Sequence, residues 1–353
     1  MIAVPRRVGA SVLVLLAVLA ASCERRTTLV PPPGDSTAVL SGDSSRALIR
    51  DVQRAWDQRA DLEQAADLTS KLLLDEFRRI EPAGWVDRAE ALCDSLGIGV
   101  ETAGSSCALA VNLFLRSDPA AGSWPYLLWC SGRDVRLHAL EGRNLRLLGA
   151  AARADSGAAD PTSFVALYAR SRGSRLEPLL NLWTRPRAGD WRLFQTLGPD
   201  SLGGTGSAEL VNGSSGVEVV TRTYHTPPGF EECPTCPHVF WTHRFRWGEI
   251  GFERLGDAPV PSAYATFVQF IQALSRGEGD PVIYVTDPAL IDEARRLEWQ
   301  SPRGAWRIAP KSEEAGNELT FFRGPQEAYL VRFVTRDEEY LISGFEIVPR
   351  TVE

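Results

Sequence analysis

Between His225 and His243 lies the chain's densest set of chemically capable side chains: Cys233-Pro234-Thr235-Cys236-Pro237-His238, with three of the four histidines inside this stretch. Thiolate and imidazole are ligands that Zn²⁺ prefers, so a zinc site is one reading. His238 and His243 would point to opposite faces of an expected strand, which works against a shared metal. A thiol–disulfide exchange site is a second reading. It needs its first cysteine at a helix N-terminus to lower the thiol pKa, whereas Pro237 and the strand-forming Val239-Phe240-Trp241 follow here. Pro237 also occupies the position where a c-type haem site requires histidine. The third reading is a small Cys233–Cys236 disulfide that pins a loop ahead of a strand. We adopt it, and assign no metal and no cofactor.

Other chemistry is sparse. The chain contains no G-x-S-x-G elbow, S-x-x-K, phosphate-binding Walker loop or H-E-x-x-H. Four histidines leave few general bases, and no catalytic pair can be picked from 45 carboxylates by sequence. No catalytic residue is assigned. Aromatic residues cluster at Trp124, Tyr126 and Trp129, and again at Phe240, Trp241, Phe245 and Trp247. They are expected to be packing residues; exposed rings would instead offer a stacking platform for a glycan or peptide.

The amino terminus says where such chemistry would operate. Arg6 and Arg7 precede an uncharged apolar run, Val8 to Ala21, too short to span a bilayer as a helix. A positive flank, a short apolar core and small residues at a boundary make a secretory signal. The boundary Leu19-Ala20-Ala21-Ser22-Cys23 resembles the lipobox of bacterial lipoproteins, departing from it only in Ala20, where leucine is commonest. The resemblance implies removal of residues 1–22, lipidation of Cys23 and a membrane partner through that lipid. The alternative is an ordinary secretory signal with Cys23 left plain. Glu24 in place of the retention aspartate implies the periplasmic side of the outer membrane in a didermal host. Losing Arg6 and Arg7 would take the formal charge from −7 to −9. Residues 23–43, with Pro31-Pro32-Pro33-Gly34, read as an extended tether.

Export sets the default for the cysteines, because disulfides persist outside the cytoplasm. Cys107 and Cys130 flank an expected hairpin whose register would set them face to face, and a disulfide between them is the favoured pairing. The competing pair is Cys93 with Cys107, and either choice leaves one thiol over.

The elements that must position these residues follow from apolar periodicity. Leu48, Val52, Ala55 and Trp56, then Leu62, Ala66, Leu73, Phe77 and Ile80, make two helical stripes with a slip near Arg59. A shorter helix is expected over Val86 to Leu96. From Cys107 to Leu255 short apolar strands alternate with turn-formers, predicting a β-rich meander in a sandwich, barrel or propeller-like sheet. Gly203, Gly204 and Gly206 resemble the calcium loops of FG-GAP-type propeller repeats. The alternating aspartates are missing, so no calcium site is implied. Residues 259–353 read as a small α+β unit. Its first helix carries Tyr264, Phe267, Val268, Ile271 and Leu274, and its second is capped by Asp287 with Pro288 at the first position. Strands follow at Leu319 to Arg323, Ala328 to Val334 and Tyr340 to Val348. Two helices before an antiparallel meander resemble the nuclear-transport-factor-like (SnoaL-like) cone, which implies a pocket without settling an activity.

The expected fold class is therefore α+β: N-terminal helices leading into a central antiparallel β-rich domain, together over residues 44–258, and a C-terminal α+β domain with a curved antiparallel sheet over 259–353. With 38 Lys+Arg against 45 Asp+Glu and no basic tract, nucleic acid is not an expected partner. The expected function is a lipid-anchored cell-envelope module that binds a ligand, glycan or protein without catalysis. The alternative is an extracytoplasmic, hydrolase-like enzyme with its pocket in or beside the C-terminal domain.

Overall fold

The slip at Arg59 is a chain break. Arg59 takes φ 51° between helices α1, Asp43–Gln58, and α2, Leu62–Phe77, and Asp61 caps α2 by accepting the Gln64 N–H at 2.9 Å. A third helix, α3, covers Trp85–Ser95 after Pro82 ends the previous run. The computed structural model describes residues 43–349 except 106, 156, 157, 159, 187–189, 214, 215, 234, 235 and 310–316. The expected signal peptide, Cys23 and nearly all of the tether lie outside the described residues. Residues 47–353 form one unit; of residues 1–46, only the opening of α1 is described.

Among the described residues, sixteen strands follow in four antiparallel sheets, each pairing strands in chain order. Sheet 1 holds β1 Ile98–Ser105, β2 Ala108–Leu115, β3 Ser123–Ser131 and β4 Asp134–Ala139. Sheet 2 holds β5 Leu145–Arg153, β6 Ser163–Arg172, β7 Arg175–Thr184 and β8 Arg192–Leu197. Sheet 3 holds β9 Thr205–Gly213, β10 Gly216–Tyr224, β11 Trp241–Trp247 and β12 Phe252–Pro259, with the one-turn helix α4, Pro199–Leu202, leading in.

Strand alternation stacks these layers. In β2, Leu109, Val111 and Leu113 pack with Val52, Leu73 and Trp85 of the helices, while Ala108 and Ala110 face sheet 2. In β6, Phe164, Ala166 and Tyr168 return that contact, and Val165 and Leu167 meet Val219, Phe245 and Trp247 of sheet 3. Strand β6 is therefore buried on both faces, which explains its continuous apolar run. Most of the expected packing aromatics lie here: Tyr126, Trp129, Phe245 and Trp247 are buried. Trp241 instead packs against the C-terminal core.

That core belongs to helices α5, Ala263–Arg276, and α6, Ala289–Arg296, and to sheet 4: β13 Trp306–Ile308, β14 Glu318–Arg323, β15 Glu327–Arg336 and β16 Glu339–Ile347. Ser262 caps α5 through Ala265 N–H, and Gly277 ends it at φ 70°. Helix α6 begins one residue later than expected, although the Asp287 carboxylate does accept the Ala289 N–H at 2.9 Å. Phe267 stacks on Phe321 with ring centroids 3.6 Å apart, and Trp299, Trp306 and Tyr329 close around them. Arg323 occupies a core-facing position of β14. Its Nη2 donates to Glu298 O and Ser301 O, Nη1 lies 3.7 Å from the Glu327 carboxylate, and the guanidinium lies over the Trp306 ring.

The α+β class with helices at the N-terminus is thus the observed one. Two residues that precede β11, Phe230 and Val239, are buried in the C-terminal core, and residues 229–231 run along β13 through Trp306 N–H to Gly229 O and Glu231 N–H to Trp306 O. The connection between β10 and β11 therefore clips sheet 3 to the C-terminal elements.

Candidate functional site

The clip is where the chemically dense stretch sits. Phe230 and Val239 anchor its two ends in apolar core, and the Cys233–Cys236 disulfide, Cα–Cα 5.1 Å, closes the loop between them. Glu231 points outward to Arg307 at 2.5 Å. Glu232 points inward and its side chain is 1% exposed. One carboxylate oxygen accepts the Tyr264 hydroxyl at 2.8 Å; the other lies 2.8 Å from Nδ1 of His238. A buried carboxylate needs such donors, since an ion without them costs several kcal/mol. Burial first, and the Glu232 carboxylate second, push the Tyr264 phenol well above its usual pKa, so it stays protonated and donates.

The same contact orders His238. A carboxylate has no proton to give, so Nδ1 carries the hydrogen, and in the neutral ring Nε2 holds the lone pair. Tyr224 stacks on the ring at 3.7 Å between centroids, and Phe240 meets both rings edge-on. Arg222, exposed on β10, lies 5.0 Å from the centre of the Phe240 ring. Arg222, His238, Phe240 and Tyr264 border a cavity of about 570 Å³ together with Val260, Pro261, Ser262, Ala263, Leu319 and Tyr340. That size suits one small organic molecule.

Two features decide what the site can do. The disulfide occupies both thiols, so neither serves as a metal ligand, and among the described residues no three His, Cys, Asp or Glu side chains converge for a metal. His238 precedes β11 rather than lying on it, correcting the expectation of a shared strand with His243. Nε2 of His238 is buried and has no hydrogen-bond partner among the described residues. A general base must come within about 2.6–3.2 Å of the proton it takes. In this conformation the wall covers the atom that would do so.

His243 belongs to a separate cluster. Its Nδ1 lies 2.8 Å from Asp257, which also takes Arg254 Nε at 2.6 Å. Gly203 packs against its other nitrogen: a Cβ on Gly203 would fall 2.0 Å from Nε2. With Thr221 and Thr223 both donating to Leu202 O, this group fastens α4 to sheet 3 and leaves no room for a substrate. His225 is exposed and joins neither cluster.

The remaining cysteines lie elsewhere. The β2–β3 register pairs Ala108 with Trp129, and Cys130 N–H donates to Cys107 O at 3.0 Å, so Cys107 and Cys130 face each other as expected. The expected bridge between them is nevertheless not formed in the structure: both are free thiols, as is Cys93. Burial first, and the neighbouring Cys107 thiol second, push the Cys130 thiol up to about 12. Cys93, on the buried face of α3, is pushed to about 12 by burial.

Sequence reasoning found the loop and its disulfide but missed Glu232, Tyr264, Tyr224 and Arg222 as a group. Glu232 sits beside Cys233 and was in view, yet nothing local marks it as buried. Tyr264 reads as one more apolar residue of a helical stripe. Comparison with protein-family models, with curated proteins and with solved structures finds no match for this chain.

Proposed function

We propose that this chain is a lipid-anchored cell-envelope protein, held to the membrane through Cys23, whose folded part is a non-catalytic binding module for a small ligand of the envelope. The anchor rests on Leu19-Ala20-Ala21-Ser22-Cys23 behind a short apolar run, with the tether lifting the folded part from the bilayer. Among the described residues no helix is long and apolar enough to cross a membrane. The observation that carries the binding reading is the cavity of about 570 Å³ whose wall combines Arg222, Phe240, Tyr264 and Tyr340 with a buried His238 nitrogen. The order of the C-terminal elements, two helices and a four-stranded meander, is the one the SnoaL-like resemblance implies.

A hydrolase is the second reading, favoured by one observation: Glu232 orients His238 as a carboxylate orients an acid–base imidazole. It requires the loop between Cys233 and Phe240 to open before Nε2 can meet a substrate.

Fractionation of cells expressing Cys23→Ala tests the anchor. The wild-type chain is expected in the membrane pellet and the variant in the soluble fraction; a variant that stays with the membrane refutes it.

A further inference from the structure

We propose that the cavity beside Glu232 and His238 takes a small organic monoanion, a carboxylate carried on an apolar or aromatic body. This rests on the binding reading above and names the ligand class for that site.

Charge is the first argument. Among the described residues Arg222 is the only lysine or arginine lining the cavity, and no aspartate or glutamate lines it. Nearby arginines are engaged: Arg244 with Glu218, Arg254 with Asp257 and Arg307 with Glu231. Arg222 makes no ion pair among the described residues, and its guanidinium is held over Phe240. A guanidinium of this kind presents a planar fork that matches a carboxylate. The Glu232 carboxylate lies behind Tyr264 and His238 rather than on the cavity lining.

The second argument is the start of α5. Ser262 caps the Ala265 N–H, whereas the N–H groups of Ala263 and Tyr264 have no partner within the helix. Both residues are buried and line the cavity. A helix N-terminus adds roughly half a positive charge there.

The third is independent of charge. The His238 side chain is 8% exposed, and its Nε2 is the one buried side-chain polar atom of the cavity wall without a partner among the described residues. Nε2, an acceptor in the neutral ring and covered by the wall in this conformation, would pair with a hydrogen-bond donor on the ligand's body, not with its carboxylate, once that wall moved. One arginine and one helix end suit a single negative charge better than a phosphate dianion. Phe240, Leu319 and Tyr340 supply the apolar wall for the ligand's body.

The test is ¹⁹F NMR titration of the detergent-solubilised full chain with 4-(trifluoromethyl)benzoate and its neutral isostere 4-(trifluoromethyl)benzamide. The benzoate is expected to bind with a Kd about ten-fold lower than the amide, the scale of one charge-assisted contact. Arg222→Met should abolish that preference, and Arg244→Met should keep it. Equal affinity for the two probes, or a preference that survives Arg222→Met, overturns the anion assignment and leaves the cavity as a binding site. Failure of both probes to bind overturns the assignment and counts against the binding reading as well.

Discussion

Replacing Tyr264 by Phe removes one hydroxyl and no packing volume to speak of, and its cost measures whether Glu232 is a buried ion. The hydroxyl donates to Glu232 at 2.8 Å, and the Glu232 side chain is 1% exposed. A hydrogen bond between neutral groups contributes about 1 kcal/mol, and one to a charged group about 1.5–3 kcal/mol. The carboxylate oxygen left behind could not reach water without moving the wall, so the upper half of that range applies: roughly 2–3 kcal/mol. At about 2–4 °C per kcal/mol, Tm should fall by roughly 4–12 °C in calorimetry at a fixed scan rate. The control is the same change in a Glu232→Gln background. Glutamine still accepts the phenol proton but carries no charge, so Tyr264→Phe should then cost only about 1 kcal/mol. The difference, about 1–2 kcal/mol, is the coupling attributable to charge. A cost below about 0.5 kcal/mol in the wild type, or equal costs in both backgrounds, refutes the buried ion.

Three further outcomes follow from the same geometry. Gly203→Ala drives a Cβ to 2.0 Å from His243 Nε2 at φ 92° and should cost about 2–4 kcal/mol, whereas Gly198→Ala, in open space at φ −90°, should stay within about 0.5 kcal/mol by the same calorimetry. Asp160 accepts the Gly132 N–H at 3.0 Å, then Ser131 and Arg185, which hold its pKa below the ordinary value; its stabilisation is present above the unfolded pKa and is lost as pH falls through the folded one. Asp160→Asn should therefore cost roughly 1 kcal/mol near neutrality and nothing by about pH 2 in urea titrations, and a cost that is independent of pH would contradict the assignment. Peptide mapping of protein taken from the envelope should recover Cys107 joined to Cys130, while Cys93, buried and with its thiol pushed to about 12, resists alkylation until the chain is unfolded; a Cys93–Cys107 peptide would overturn that pairing.

The sequence made most elements legible because their burial is periodic. Ala108–Leu115 is a strand over the span its apolar run suggests, and the helices around Trp56, Phe77 and Phe267 follow their stripes. Strand β1 was missed because two glycines and small residues dilute its alternation, and β12 because nearly all of it is exposed. Strand β13, three residues long, has no period to read. The candidate site was half legible for a related reason. Local chemistry marked Cys233, Cys236 and His238, but the partners that give His238 its orientation come from Glu232, six residues earlier, and Tyr264, on a separate helix. Such a contact has no signature until the β10–β11 connection is placed against α5.

The proposed anchor and the thiol pattern meet in one measurement: intact mass of the membrane-extracted protein, with alkylation before and after reduction. The account predicts a chain beginning at Cys23 with acyl chains added, and Cys233 and Cys236 blocked to alkylation until reduced. An unlipidated mass, or a free Cys233 and Cys236 pair in the native protein, would contradict it.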